Sequence, residues 1–145
     1  LSSDIAEAVA DALNTAPPGS FSESFEASVE VLPDFEIEKL KQLSVSVVPR
    51  AVEIENVTRG AADHTVAIDI GVQKKLRARV ELKDQVSQLG GVVDEIIQHM
   101  RKRSLEGLPH VFWFNTLNDP IYAPDHLKDA RVFTSVITIR YRVLR

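Results

Sequence analysis

The chain has 145 residues, 44% of them apolar and 26% charged, which fits one ordinary globular domain of residues 1–145 and excludes a disordered or fibrous chain. It holds no cysteine, which excludes disulfide frameworks, thiolate zinc sites and thiol catalysis and favours folding in a reducing compartment. The net charge of −4 gives no general attraction to nucleic acid, and no apolar run approaches the ~18–20 residues that span a bilayer.

The first 14 residues carry Asp4, Glu7 and Asp11 but no base, unlike a signal or transit peptide, so a soluble chain with no visible address is expected. Ile5, Val9, Ala12 and Leu13 recur at helical spacing and predict a helix over about 4–14, with Ser3 or Asp4 as cap and Pro17-Pro18-Gly19 as its stop. Residues 21–31 alternate, with Phe21, Phe25, Ala27, Val29 and Val31 on one face and serines and glutamates on the other, which predicts a strand with one wet face. Asp34 caps a short helix or turn over 35–43. A strand over 44–48 closes at Pro49, Val52 and Ile54 continue an extended pattern, and 56–63 reads as a loop turning at Gly60.

Residues 64–73 form a further strand with Val66, Ile68, Ile70 and Val72 on one face, followed by the basic cluster Lys74, Lys75, Arg77 and Arg79. The long helix covers 82–103 with a stripe of Val86, Leu89, Val93, Ile96, Ile97 and Met100. Gly90-Gly91 interrupts the stripe, either for close packing on the sheet, as a local kink, or because the helix starts after Gly91. Residues 110–117 are apolar and aromatic, 118–124 reads as a structured loop, Pro124-Asp125 starts a helix, and 132–144 is the last strand. The order predicts an α+β, two-layer domain: a four- to five-stranded, mainly antiparallel sheet with two main helices packed on one face.

Chemistry-bearing patterns are sparse. The four histidines, 64, 99, 110 and 126, lack metal-ligand spacing, and no nucleophile elbow or phosphate loop occurs, so no catalytic residue, no metal and no cofactor is expected. Asp119 before Pro120 reads as a turn residue, and Asp125 and Asp129 near His126 read as helix-end residues. A deep pocket joining Asp119, Tyr122 and His126 would revive an enzyme. The 74–79 cluster could meet phosphates, but without interleaved aromatics it reads as a solvated strand end. Charge is distributed unevenly: −7 over residues 1–60 against +4 over 99–145. Acidic and basic flanks suit a head-to-tail contact between copies, which closes into a ring when the rotation permits; mixing of the signs in the fold would cancel it.

Several stretches together resemble a known family: A-P-P-G-S-F at 16–21, L-S-V-S-V-V-P at 43–49, A-I-D-I-G-V-Q-K-K at 67–75, N-D-P-I-Y-A-P-D-H-L at 118–127, and F-T-S-V-I-T-I-R-Y-R-V at 133–143. The combination is similar to the tail terminator (head–tail joining, tail completion) proteins of tailed bacteriophages. The resemblance implies a virion protein, assembled in the host bacterial cytoplasm, that forms a homo-hexameric ring on the tail tube. The tail tube protein would be its partner on one side and the head-side connector or neck protein on the other, with DNA passing the lumen without specific binding. Another neck or head-completion protein and a cytosolic protein-binding adaptor remain the alternatives. The residues expected at interfaces lie in three segments: Thr58 and Arg59 in the 56–63 loop; Lys74, Lys75, Arg77 and Arg79; and Asp119, Tyr122 and His126.

Overall fold

The computed structural model describes residues 1–31, 39–58 and 60–144. The predicted α+β fold is observed. Helix α1 (Ser2–Asn14) leads into the short strand β1 (Ala27–Val29), and a 3-10 turn at Lys39–Lys41 precedes the 15-residue strands β2 (Ser44–Thr58) and β3 (Ala61–Lys75). Helix α2 (Leu82–Met100), strand β4 (Val111–Asn118), helix α3 (Pro124–Ala130) and strand β5 (Val132–Leu144) complete the order. The five strands lie as β1-β2-β3-β5-β4. Only β1 with β2 is parallel; the other pairs are antiparallel.

The alternation of β3 and β5 sets the core. Ile68 faces Ile139 and Ile70 faces Ile137 across the ladder, and all four are fully buried. Burying each such side chain contributes roughly 1.5–3 kcal/mol. Helix α1 adds Ile5, Val9 and Leu13 and helix α2 adds Leu89, Val93, Ile96 and Met100 to the same cluster. Both helices therefore cover one face of the sheet. The opposite face is lined by Ser46, Gly71, Gln73, Thr134 and Thr138, all but Gly71 buried, and at its α3 end His126 Nδ1 meets Thr134 Oγ1 at 2.8 Å.

Several expectations need correction. The strand foreseen over 21–31 shrinks to three residues. Its first part is held by side chains instead of a ladder: Ser22 donates from its backbone N–H and its hydroxyl to the two Glu95 carboxylate oxygens, at 3.0 Å each, and Phe21 packs on Phe25 at 4.9 Å. Val31, expected inside, is 88% exposed. Helix α1 begins at Ser2 with no side-chain cap bond, so neither Ser3 nor Asp4 caps it. Helix α2 runs unbroken through Gly90 and Gly91 and ends at Met100 rather than at 103. A Cβ at either glycine would meet nothing within 4 Å, so close packing is not their reason. The cap Asp34 and residues 35–38 of the short helix or turn foreseen over 35–43 lie outside the described residues, and the rest of it holds the 3-10 turn Lys39–Lys41.

The largest correction concerns 56–63. It is no extended loop but the end of a long hairpin: β2 continues to Thr58, β3 begins at Ala61, and Gly60 takes the turn with φ +79°. Positive φ is open to glycine without the Cβ clash other residues meet.

Candidate assembly interface

The hairpin reaches past the helices. At 3.4 Å per residue, β3 extends about 48 Å from end to end, well beyond what α1 can cover. From Ala51 to Thr58, β2 is exposed throughout. Val52 (45% exposed), Ile54 (61%) and Val57 (62%) stand open on this arm. Strand β1 pairs only with Val45–Val47, so from Val48 onward the outer edge of β2 carries no neighbouring strand among the described residues. An exposed edge with open apolar side chains is a template for another chain.

The other edge of the sheet is β4. Its outward face shows Phe112 (50% exposed), Phe114 (41%) and Leu117 (59%), while Val111 is buried and Trp113 half-buried. A bulge between Trp113 and Asn115 displaces Phe114 from the ladder. The Arg142 guanidinium lies 4.3 Å from the Phe114 ring centroid, so this β5 arginine leans across β4 toward the free edge. Such cation–π contacts contribute about 0.5–1 kcal/mol at exposed sites.

The ladder registers connect the two edges. One row runs Glu53, Thr65, Arg142, Phe112 across the open face; the row above it runs Ile54, His64, Val143, Val111 on the helix-bearing face. The row below runs Val52, Val66, Tyr141, Trp113. Opposed residues share a face, so each row is acidic or aliphatic at the β2 edge and basic-aromatic or apolar at the β4 edge. Between the edges, a shallow cavity of about 420 Å³ is lined by Arg50, Ala51, Ala67, Asn115, Leu117 and Arg140. Its floor is fixed by the Thr138 hydroxyl donating to Asp69 at 2.6 Å, with Arg50 Nη1 3.5 Å from the same carboxylate oxygen. A larger cavity of about 510 Å³ lies elsewhere, between α1 and the end of α2, beside Asp4, Glu7, Asp11, His99 and Arg103.

The residues expected at interfaces fall at two opposite ends of the sheet. Thr58 is exposed at the tip of the arm, and Arg59 lies outside the described residues. Lys74 and Lys75 are half-buried at the far end of β3, opposite Phe133 and Val132. Lys74 is neutralised by an ion pair with Glu23, both side chains being mostly covered. Arg77 and Arg79 are exposed in the turn that follows, where Gln85 Oε1 accepts from the Arg77 backbone N–H at 2.7 Å. His126 comes to this same end through Thr134. Asp119 and Tyr122 are exposed on the 118–124 loop, which is tied to β5 by the Asp119 N–H to Val136 O bond (3.0 Å) and the Ala123 N–H to Thr134 O bond (2.8 Å). The Asp119–Pro120 peptide is cis. The two cavities described above are lined by other residues than Asp119, Tyr122 and His126.

Sequence reasoning missed the edge residues. Val52 and Ile54 read as part of an extended pattern and residues 110–117 as an apolar, aromatic stretch, with no side of either assigned to solvent. The available signal was the phase: Val111 and Trp113 occupy one side of β4, and Phe112 and Leu117 the other. Two well-filled faces on a strand with a single helical layer leave one face open. Compared with known proteins, the chain matches no family model and no curated protein.

Proposed function

We propose that this chain is a structural ring subunit of the kind its sequence resembles, a tail terminator of a tailed bacteriophage, and that it has no catalytic role. One observation carries the reading: among the described residues the same sheet leaves an open edge at each end, the β2 arm at 51–58 and the β4 edge with Phe112, Phe114 and Leu117. A monomer with two different unpaired edges on one sheet has the means for heterologous, head-to-tail contacts, which close when the rotation is right. A second observation fits the terminator's two-sided task. The tip of the arm and the Lys74–Arg79 end lie at opposite ends of the strands, so they offer separate surfaces to a tail tube and to a head-side connector. No cofactor enters this reading.

The test is functional. Purified chain is added to a polymerising phage tail tube protein, and tube lengths are measured by electron microscopy. The reading requires rings of the free or tube-bound chain and arrested tubes of reduced length. Tubes that grow to the same length with and without the chain would refute the terminator role. The free edge of β2 also favours a monomeric adaptor that takes a partner strand; a chain that stays monomeric yet captures extended peptides would establish that alternative.

A further inference from the structure

We infer that two copies of this chain join edge to edge, the β2 arm of one adding as an antiparallel strand to β4 of the next, with Glu53 and Glu55 of the arm set against the Arg142–Phe114 corner. The inference rests on the ring-subunit reading above and names the surface that would build the ring.

Four observations support this choice of occupant. The first is strand direction. β2 is antiparallel to β3, β3 to β5 and β5 to β4, so β2 and β4 run in opposite senses. A neighbour related by rotation about an axis along the strands keeps its β2 in the same sense, so it meets β4 antiparallel. That is the more stable ladder, and every neighbour repeats it. The second is facing. Edgewise addition preserves the two sides of the sheet, so Val52 and Ile54 of the arm join the side that carries Val111 and Trp113. Glu53 joins the side that carries Phe112 and Arg142. A slip of one residue would invert both matches, which gives the contact a register.

The third is charge. The arm presents Glu53 and Glu55, both exposed, and Arg142, also exposed, already reaches over β4 to Phe114. A symmetric pairing of two β2 edges would place the glutamates of one copy against those of the other, which is repulsive. The fourth is the interruptions. The β2 arm is regular from Ala51 to Asn56, between register shifts at Pro49/Ala51 and Asn56/Thr58, and β4 is interrupted only at Phe114. This leaves one short regular stretch on the β2 arm and two, 111–113 and 115–118, on β4, which limits the pairing to a few residues instead of an open-ended fibre.

Because the chain has no cysteine, introduced thiols are unique reporters. Ala51 and Asn115 end one row of the sheet and take no part in the proposed apolar or charged contacts. Within one copy they are three strand spacings apart, about 14 Å, beyond a short bis-maleimide. The double variant Ala51→Cys with Asn115→Cys is expected to give a ladder of covalent oligomers with that reagent. Either single variant is expected to stay uncrosslinked. Glu53→Arg with Glu55→Arg should raise the concentration needed for assembly roughly ten-fold, and adding Arg142→Glu should recover most of that loss. All three positions are exposed, and a circular dichroism spectrum that matches the wild type's at a concentration below assembly confirms that each variant folds. Covalent dimers from a single-cysteine variant would replace this interface with a symmetric one. Rings of the wild-type chain that neither crosslink in the double variant nor respond to charge reversal would overturn the edge pairing and leave the ring intact. A wild-type chain that forms no ring, either free or on tail tubes, would overturn both.

Discussion

Replacing Asn14 by alanine tests how the last residue of α1 holds the start of the sheet. The Asn14 carboxamide copies a strand's peptide group: its Nδ2 donates to Ala27 O at 2.8 Å and its Oδ1 accepts from the Ala27 N–H at 2.7 Å. Ala27 is buried, at 4% exposure, and begins the short β1 that pairs with Val45–Val47. Two neutral hydrogen bonds contribute about 0.5–1.5 kcal/mol each, and the exposed rim of Asn14 lets water replace part of the loss. The expected destabilisation is therefore about 2 kcal/mol, a fall of roughly 4–8 °C in Tm for a chain of this size. Asn14→Asp keeps the acceptor but turns its other oxygen toward the Ala27 carbonyl, so it should lose at least as much as alanine. The assay is thermal unfolding followed by circular dichroism at matched protein concentration, since assembly itself shifts Tm. An Asn14→Ala Tm within about 1 °C of wild type would refute the argument that this amide anchors β1.

Other outcomes follow from single positions. Gly91 is exposed in the middle of α2 with open space where a Cβ would go, so Gly91→Ala should stabilise by about 0.5–1 kcal/mol, read as a higher Tm. Lys102 takes φ +57° just after α2 and is exposed, so Lys102→Gly should stabilise by about 0.5–1 kcal/mol in denaturant titration, with no loss of packing. The Tyr141 hydroxyl is buried without a hydrogen-bond partner among the described residues, and burial pushes the phenol above its ordinary titration range. Tyr141→Phe should therefore keep or raise Tm, by up to about 1–3 kcal/mol of stability; a clear fall would show that the hydroxyl has a partner.

The strands with a buried face were legible from their residues. β3 and β5 alternate because each has a face under the helices, and the apolar stripes of α1 and α2 at three- and four-residue spacing match the residues that enter the core. The base of the arm was legible as an extended pattern through Val52 and Ile54, but its tip was not: residues 56–63 look like a loop, yet the ladder continues through Asn56 with Ala62 because the backbone pairs regardless of what its side chains touch. The segment at 21–26 failed for the opposite reason. Its phenylalanines alternate as in a strand, but they pack on one another and the segment is tied by Glu95 and Lys74 rather than by strand neighbours. At the candidate interface, the charge asymmetry was visible in the sequence. Its pairing was not, because Glu53 and Arg142 are brought into one row only by the β2-β3-β5 register.

In the proposed assembly, the two open edges of this sheet mate with each other in neighbouring copies. Light scattering of the wild-type chain across a wide concentration range, at low and at high salt, tests it most directly. The expected result is a closed oligomer, a hexamer if the terminator reading holds, that forms as concentration rises and loosens as salt screens the Glu53, Glu55 and Arg142 contacts. A mass of one chain at every concentration and salt would contradict it.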